Sequence, residues 1–456
     1  MERDVLISLA VAVLAVIIAS ATLFQVFSLS SQIQGLTADI ESLKGKIETL
    51  ESDVAELKGE AEERAQLEKI RNAILAEGAE VVVMSWGYGG LWEAKFKDAF
   101  AEYTSKKYGV PIRLTWIEHY IEHIDELRLA GKTLADICDV IEAEEDSWFA
   151  ESKLGWFDVI DKKEYVDMGL LDNFLKVPDY QKVPHPEGGT MGVACQGFEW
   201  LGIIVRRDKV DPSKIKSWID LSNPEFRGRV ITYSVAEVRG QLIFLGITKA
   251  LIDKKLIEGS YTLPFKTDKQ TLINAMKWYK ENIYPNIHSY VGTGEMRTLM
   301  QSGDAWICCT WGVYSREIAG SDWALEGKLV EIIYPEGEWY PMDRTYLAIA
   351  KGAKHPVCAR ILLDWMLSIE FQLAGWYKDP QTGKEVNKFG LTKRQFLVTC
   401  TGGVNPEYRK YMPDWAKEFY PDDPMKYAFS VDWDWYWQTR EWIWETFQEI
   451  VLGGGG

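Results

Sequence analysis

Hydrophobic and polar positions divide the chain into three stretches with different periods. Val5–Phe27 is a nearly unbroken apolar run, close to the ~20 residues a helix needs to cross hydrocarbon. A seven-residue repeat follows: Leu29, Leu36, Leu43, Leu50 and Leu57 take one position, and Ile33, Ile40, Ile47, Val54 and Ala61 the other. From about Ala79 the period changes again, and short β-branched runs alternate with helical stretches. Strands are expected at Glu80–Ser85, Arg113–Trp116, Ile137–Ile141, Leu201–Val205, Val230–Thr232, Trp306–Thr310, Glu331–Tyr334 and Tyr346–Ala350. Helices are expected up to Tyr108, from Glu237 to Leu251, over Thr271–Asn282, up to Ser302, over Pro356–Leu367 and from Asp432 onward. The alternation predicts an α/β fold.

Between Leu201–Val205 and Val230–Thr232 lies a polar segment punctuated by Pro212, Pro224 and Gly228. It reads as a crossover from one sheet to another, so a ligand belongs in the crevice between two halves. The expected organisation is a transmembrane anchor over residues 1–28 and a coiled-coil stalk over 29–77. One lobe begins at 79–200, a linker and second lobe occupy 201–340, and the chain returns to the first lobe over 341–400. An aromatic-rich helical segment closes it at 401–456. The apolar run is long for a signal peptide, which favours an uncleaved anchor, although Ser20–Ala21–Thr22 leaves cleavage open. Arg3 opposes Glu2 and Asp4, so the amino terminus is expected inside and the main domain outside only because the downstream domain looks exported. In the stalk, β-branched residues at a with Leu at d favour a parallel dimer. Its g-to-e pairs across the partner, Asp39–Lys44, Lys46–Glu51 and Asp53–Lys58, all have opposite sign. The alternative is one amphipathic helix packed on its own domain.

Composition narrows the chemistry. With 68 acidic against 51 basic residues the net charge is −17, which argues against nucleic acid as a partner and suits a cationic ligand. Six cysteines lack CxxC spacing; Cys138, Cys308 and Cys309 fall in strand-like runs and read as buried thiols. His119 and His123 have HxxxH spacing without the HExxH order of metalloproteases. Trp86–Gly90 is glycine-rich but matches neither a dinucleotide nor a phosphate loop, and no GxSxG occurs. No enzyme, metal or cofactor is expected. The acidic run Glu142–Asp146 serves equally as a helix cap or as part of a cation site. Trp433, Trp437, Trp444 and Val451, with Phe447 beside them, read as a core-facing helical stripe.

Four blocks then appear in a telling order: SWIDLSNPEFRGRV in the crossover, MQSGDAWICCT at Met300–Thr310, IIYPEGEWYPMD, and KGAKHPVCARILLDWMLSIEFQ. Together they resemble type II extracellular solute-binding proteins, the capture component of ABC importers, and among these the spermidine/putrescine-binding branch. The resemblance covers roughly residues 80–450. It implies a two-lobed periplasmic-binding-protein-like fold that closes on a small polar solute, a polyamine-like or other organic cation being favoured, and delivers it to an ABC permease. It assigns Trp86 and Trp311 as crevice tryptophans, and Glu237 and Asp343 as carboxylates for ammonium groups. Tyr88 and Tyr314 stand beside the two tryptophans in the sequence, and Glu144 of the acidic run is a further ligand candidate. Ser234 and Pro341 depart from the branch, which has a carboxylate and a tryptophan there; Glu199, Trp200, Trp339 and Tyr340 lie near enough to substitute. Two other readings remain: a stalked surface protein that keeps the fold without transport, and a glycan hydrolase with two carboxyls about 5–10 Å apart across a cleft.

Overall fold

The computed structural model describes residues 2–85, 90–118, 121–195, 199–334, 340–400, 406–420 and 428–453. The chain divides into two units, Met1–Lys69 and Ile70–Gly456. Helix α1 runs unbroken over Glu2–Ala76. Its first part is long and apolar enough to cross a membrane, with a mean hydropathy of 2.6 in its most apolar window. The heptad stripe beyond it is exposed, Leu36 for example at 62%. The last turns of α1 belong to the second unit, where Ile70 and Ile74 are buried. Gly78 (φ 80°) and Ala79 (φ 53°) then turn the chain into the first strand, a left-handed exit that glycine makes cheaply.

In chain order the first sheet takes β1 (Glu80–Ser85), β2 (Arg113–Glu118), β3 (Val140–Glu144), β4 (Lys182–Pro184) and β5 (Thr190–Ala194). The second takes β6 (Glu199–Arg206) and β7 (Val230–Thr232); the hairpin β8 (Tyr261–Thr262) and β9 (Lys266–Thr267) stands apart. To the second sheet also belong β10 (Ile287–Tyr290), β11 (Ile307–Trp311), β12 (Val330–Ile333) and β13 (Tyr340–Asp343), after which β14 (Thr345–Ile349) returns to the first. A second hairpin, β15 (Trp376–Lys378) with β16 (Glu385–Asn387), and β17 (Ala428–Phe429) complete the strands described.

The first sheet runs β2-β1-β3-β14-β5-β4. Strand β1 is parallel to β2 and β3, and β14 inserts antiparallel between β3 and β5. Helices α2 (Gly90–Tyr108), α3 (Ile121–Leu129), α4 (Glu145–Ser152) and α5 (Lys163–Asp167) intervene along this part of the chain. The second sheet runs β10-β7-β11-β6-β13-β17, with β12 also on β6. Around it lie α6 (Val238–Asp253), α7 (Lys269–Asn282), α8 (Thr293–Ser302), α9 (Gly312–Ala319) and α10 (Asp322–Gly327). Helices α11 (Pro356–Met366), α12 (Ile369–Gln372), α13 (Lys393–Thr399) and α14 (Trp433–Phe447) follow the return. Chain passes between the sheets where β6 follows β5 and where β14 follows β13, and β6 and β13 lie side by side.

Aromatic clusters fill the interior beside both sheets. Phe96, Phe100, Trp365 and Phe371 meet at centroid separations of 4.8–6.4 Å. In the other half Phe244, Tyr279 and Phe447 join α6, α7 and α14.

Several expectations need correction. The strand expected at Ile137–Ile141 runs instead over Val140–Glu144, so the acidic run ends β3 and its Glu145 opens α4. Likewise the strand expected at Trp306–Thr310 runs over Ile307–Trp311, and Gly312 starts α9 directly after it. On α14 the buried side chains are Trp433, Tyr436, Thr439, Ile443 and Phe447, while Trp437 and Trp444 are half-buried. At about 100° per residue the buried arc is centred near Tyr436, Ile443 and Phe447, and Trp437 and Trp444, though in helical period with Trp433, lie at its edge. The six cysteines are all buried and unbridged.

Candidate functional site

The crossing strands bring distant acidic positions together in the strand register. Asp343 of β13 lies opposite Glu199 of β6. Two residues further along β6, about 7 Å, Leu201 lies opposite Trp311 of β11. On the first sheet Glu144 ends β3 opposite Thr345, two residues past Asp343. Four of the residues singled out in the sequence therefore share one end of the two sheets.

A side chain that the sequence reading missed sits at the centre. Arg239, in the first turn of α6, places its guanidinium 4.5 Å from the centre of the Trp311 ring and 5.8 Å from that of Tyr233. The same guanidinium pairs with the Glu144 carboxylate at 3.5 Å. Trp311 is 4% exposed, whereas the Glu144 and Arg239 side chains retain 15% and 30%. This is a cation held between an aromatic face on the second sheet and a carboxylate on the first. Tyr314 completes the aromatic wall, its ring 6.4 Å from Trp311 at 67°.

Local structure explains how α6 delivers Arg239 here. Gly240 follows it, and a Cβ at that position would stand 2.0 Å from the Ser234 carbonyl oxygen; only glycine lets the Tyr233–Glu237 turn press so closely on the helix start. The Ser234 hydroxyl accepts from the Ala236 N–H at 3.1 Å, closing that turn. Gln241 donates to the carbonyls of Val235 and Arg440 at 2.9 and 3.1 Å, tying the turn to α14. Tyr233 is fixed by the Thr310 hydroxyl at 3.0 Å, and burial pushes its phenol up to about 12, so it offers Arg239 a neutral ring.

The adjoining acids are committed to structure. Glu145 is buried and accepts from the backbone N–H and guanidinium of Arg344 at 3.2 and 3.1 Å. It also accepts from the Ser430 hydroxyl at 3.2 Å, just past β17. Glu142, fully buried, accepts from Ser85 and from the Cys195 thiol. Within the acidic run, then, Glu145 opens α4 and Glu144 faces the cation.

Of the remaining candidates, Glu237 is the exposed N-cap residue of α6 and its side chain caps nothing. Of Glu199, Trp200, Tyr340 and Asp343 the strand backbone is described. Trp86, Tyr88, His119 and Trp339 lie outside the described residues. Among the described residues no group of three or more His, Cys, Asp or Glu is arranged for a metal ion. A cavity of about 320 Å³ opens elsewhere, lined by Lys328, Glu331, Lys393 and Trp415 among others. None of the residues above lines it, and the convergence of both sheets on Arg239 makes the crevice the better candidate.

Two α/β sheets linked by crossing strands, with polar and aromatic groups meeting at the seam, define a ligand-binding protein. The family described as bacterial extracellular solute-binding protein matches over residues 150–383, and the chain belongs to it. It is accordingly an extracellular solute-binding protein. Among curated proteins, none matches the chain. Solved structures similar in fold include an extracellular solute-binding protein from Bordetella parapertussis, 16% identical with a TM-score of 0.59, covering 82% of this chain and 98% of that one. Another is the spermidine/putrescine substrate-binding protein of Streptococcus pneumoniae, 17% identical at 0.54, covering 81% and 99%. A Trichodesmium protein in complex with iron and citrate is 14% identical at 0.50, covering 81% and 99%. At these identities the likeness concerns the fold, and ligands as different as spermidine and iron fall within it.

Proposed function

We propose that this chain captures an organic cation of polyamine type in the crevice and presents it to an ABC permease. The observation that carries the reading is the guanidinium of Arg239 between Trp311 and Glu144. An aromatic face and a carboxylate that hold one cation present the chemistry an alkylammonium group needs. Glu199 and Asp343, paired across β6 and β13, and Glu237 at the mouth of α6 offer charge for a second ammonium group. The net charge of −17 favours the approach of cations. The halves would hinge about β6 and β13 and close on the solute. The amino-terminal helix would anchor the domain on the outer face of the membrane, and the heptad stripe would pair two chains in parallel.

The same bridge also favours a second reading, a stalked surface protein whose crevice is filled by its own side chains. Calorimetric titration of the full chain in detergent with spermidine, putrescine and a panel of sugars separates the two. Saturable binding of a polyamine, with sugars silent, is the expected result. No heat from any of them supports the filled crevice, and sugar binding alone overturns the cationic assignment.

A further inference from the structure

We propose that Arg239 is a built-in competitor for the ligand, a tethered cation that a solute must displace to enter; this rests on the cationic reading above. Three observations point to it. First, the guanidinium occupies both elements of the subsite at once, the Trp311 ring and the Glu144 carboxylate. A ligand ammonium and Arg239 cannot share that ring face. Second, Arg239 stands in the first turn of a 16-residue helix, where the backbone dipole disfavours a positive charge. Helix stability does not explain a cation there, whereas its two contacts do. Third, it has somewhere to go. Its backbone is pinned by the close approach at Gly240, but the side chain is long, 30% exposed, and already borders the Tyr233 ring. Withdrawing onto that ring uncovers Trp311 and Glu144 without moving α6.

The consequence is selectivity by charge density. A monocation only exchanges one cation for another at Trp311 and gains little. A polycation replaces Arg239 there and reaches the Glu199–Asp343 neighbourhood with its second charge, so it outcompetes the tether. The bridge also joins a strand of the first sheet to a helix of the second, so displacement removes one tie between the halves at the moment the ligand supplies its own.

Spermidine, a monoamine such as butylamine, and citrate are titrated into the full detergent-solubilised chain, its R239M variant, which keeps the aliphatic stem, and its R239K variant. Tryptophan fluorescence and a thermal melt establish that each is folded. R239M is expected to bind spermidine about tenfold or more tighter, on the scale of one cation–aromatic contact. It should also acquire measurable butylamine binding, and R239K should fall between it and wild type. Adding E144Q to R239M should remove most of the gain. Equal spermidine affinity in wild type and R239M overturns the competitor while leaving the cationic reading intact. Absence of cation binding in every variant overturns that reading itself. Citrate binding that R239M abolishes overturns both and makes Arg239 an anion ligand.

Discussion

Burial of a single carboxyl has a measurable price at Asp364. It is buried, and its Oδ1 accepts from the backbone N–H groups of Asn173 and Phe174 at 2.7 and 2.9 Å, with the Asn173 amide at 3.1 Å on Oδ2. Those donors favour the ionised form, but desolvation is the larger effect and raises the group from its ordinary 3.8 to about 6. A carboxyl raised on folding contributes stability in full below its unfolded value and loses it as pH climbs through the folded one. At 1.36 kcal/mol per unit, the loss between about pH 4 and pH 6 comes to about 3 kcal/mol. D364N keeps an acceptor for both backbone donors and cannot ionise. Urea melts at pH 4, 5, 6 and 7 should therefore show wild type losing about 3 kcal/mol relative to D364N across that window; parallel pH profiles would exclude it. The same scale shows why part of the site was legible and part was not. Trp311 and Glu144 could be singled out because one follows a strand within a familiar block and the other sits in an acidic run. Arg239 looked like an ordinary helical arginine. Its warning sign was a cation in a helix's first turn directly before glycine, which becomes meaningful only once Ser234 is seen against that glycine.

At the scale of elements, one carboxylate holds the start of α11. Glu77, just after α1, accepts from the N–H groups of Val357 and Cys358 at 2.9 Å each, two of the donors that a helix start leaves without internal partners. Pro356 at the first helical position has no N–H to satisfy. E77A should cost about 1–2 kcal/mol in a denaturant melt, and E77Q, which keeps one acceptor, about half of that; an unchanged midpoint for E77A would show that the contact contributes nothing. The strands of both sheets were readable because their sides are covered, so they appear as short apolar runs between turn residues. Glu80–Ser85 and Val230–Thr232 agree to the residue. Boundaries failed where a polar residue continues a strand, as at Glu142 and Glu144, or where glycine begins a helix, as at Gly312. The segment after Lys378 defeats periodicity because it is built from one strand of a short hairpin, the two-turn helix α13 and 3₁₀ turns, each too short to show a repeat. Its order comes from contacts distant in sequence, such as Trp376 and Phe396 around Trp415 at 5.1–5.7 Å.

For the whole molecule the question is what covers the stripe from Leu29 to Leu57. Its nine heptad positions are 49–63% exposed in the single chain, whereas most helical stability in proteins comes from packing an apolar face against a partner. Pairing two copies would bury roughly 1.5–3 kcal/mol per large side chain, against an association cost of about 4–15 kcal/mol. On that balance the proposed dimer would form, the more so were both chains anchored in one membrane as proposed. Parallel alignment is the arrangement that the charges support, since it sets Asp39 against Lys44, Lys46 against Glu51 and Asp53 against Lys58 of the partner. Sedimentation of the full chain in detergent should give a dimer, and I40E/I47E a monomer. The charge pairs test the alignment itself. K44E sets two like charges in each of the two symmetry-related contacts and should weaken the dimer about fivefold, on the basis of about 0.5 kcal/mol per exposed pair. D39K/K44E restores opposite charge across the same contacts in a parallel dimer and should recover the affinity. In an antiparallel dimer positions g face g and e face e, so the second substitution would leave the first unrepaired.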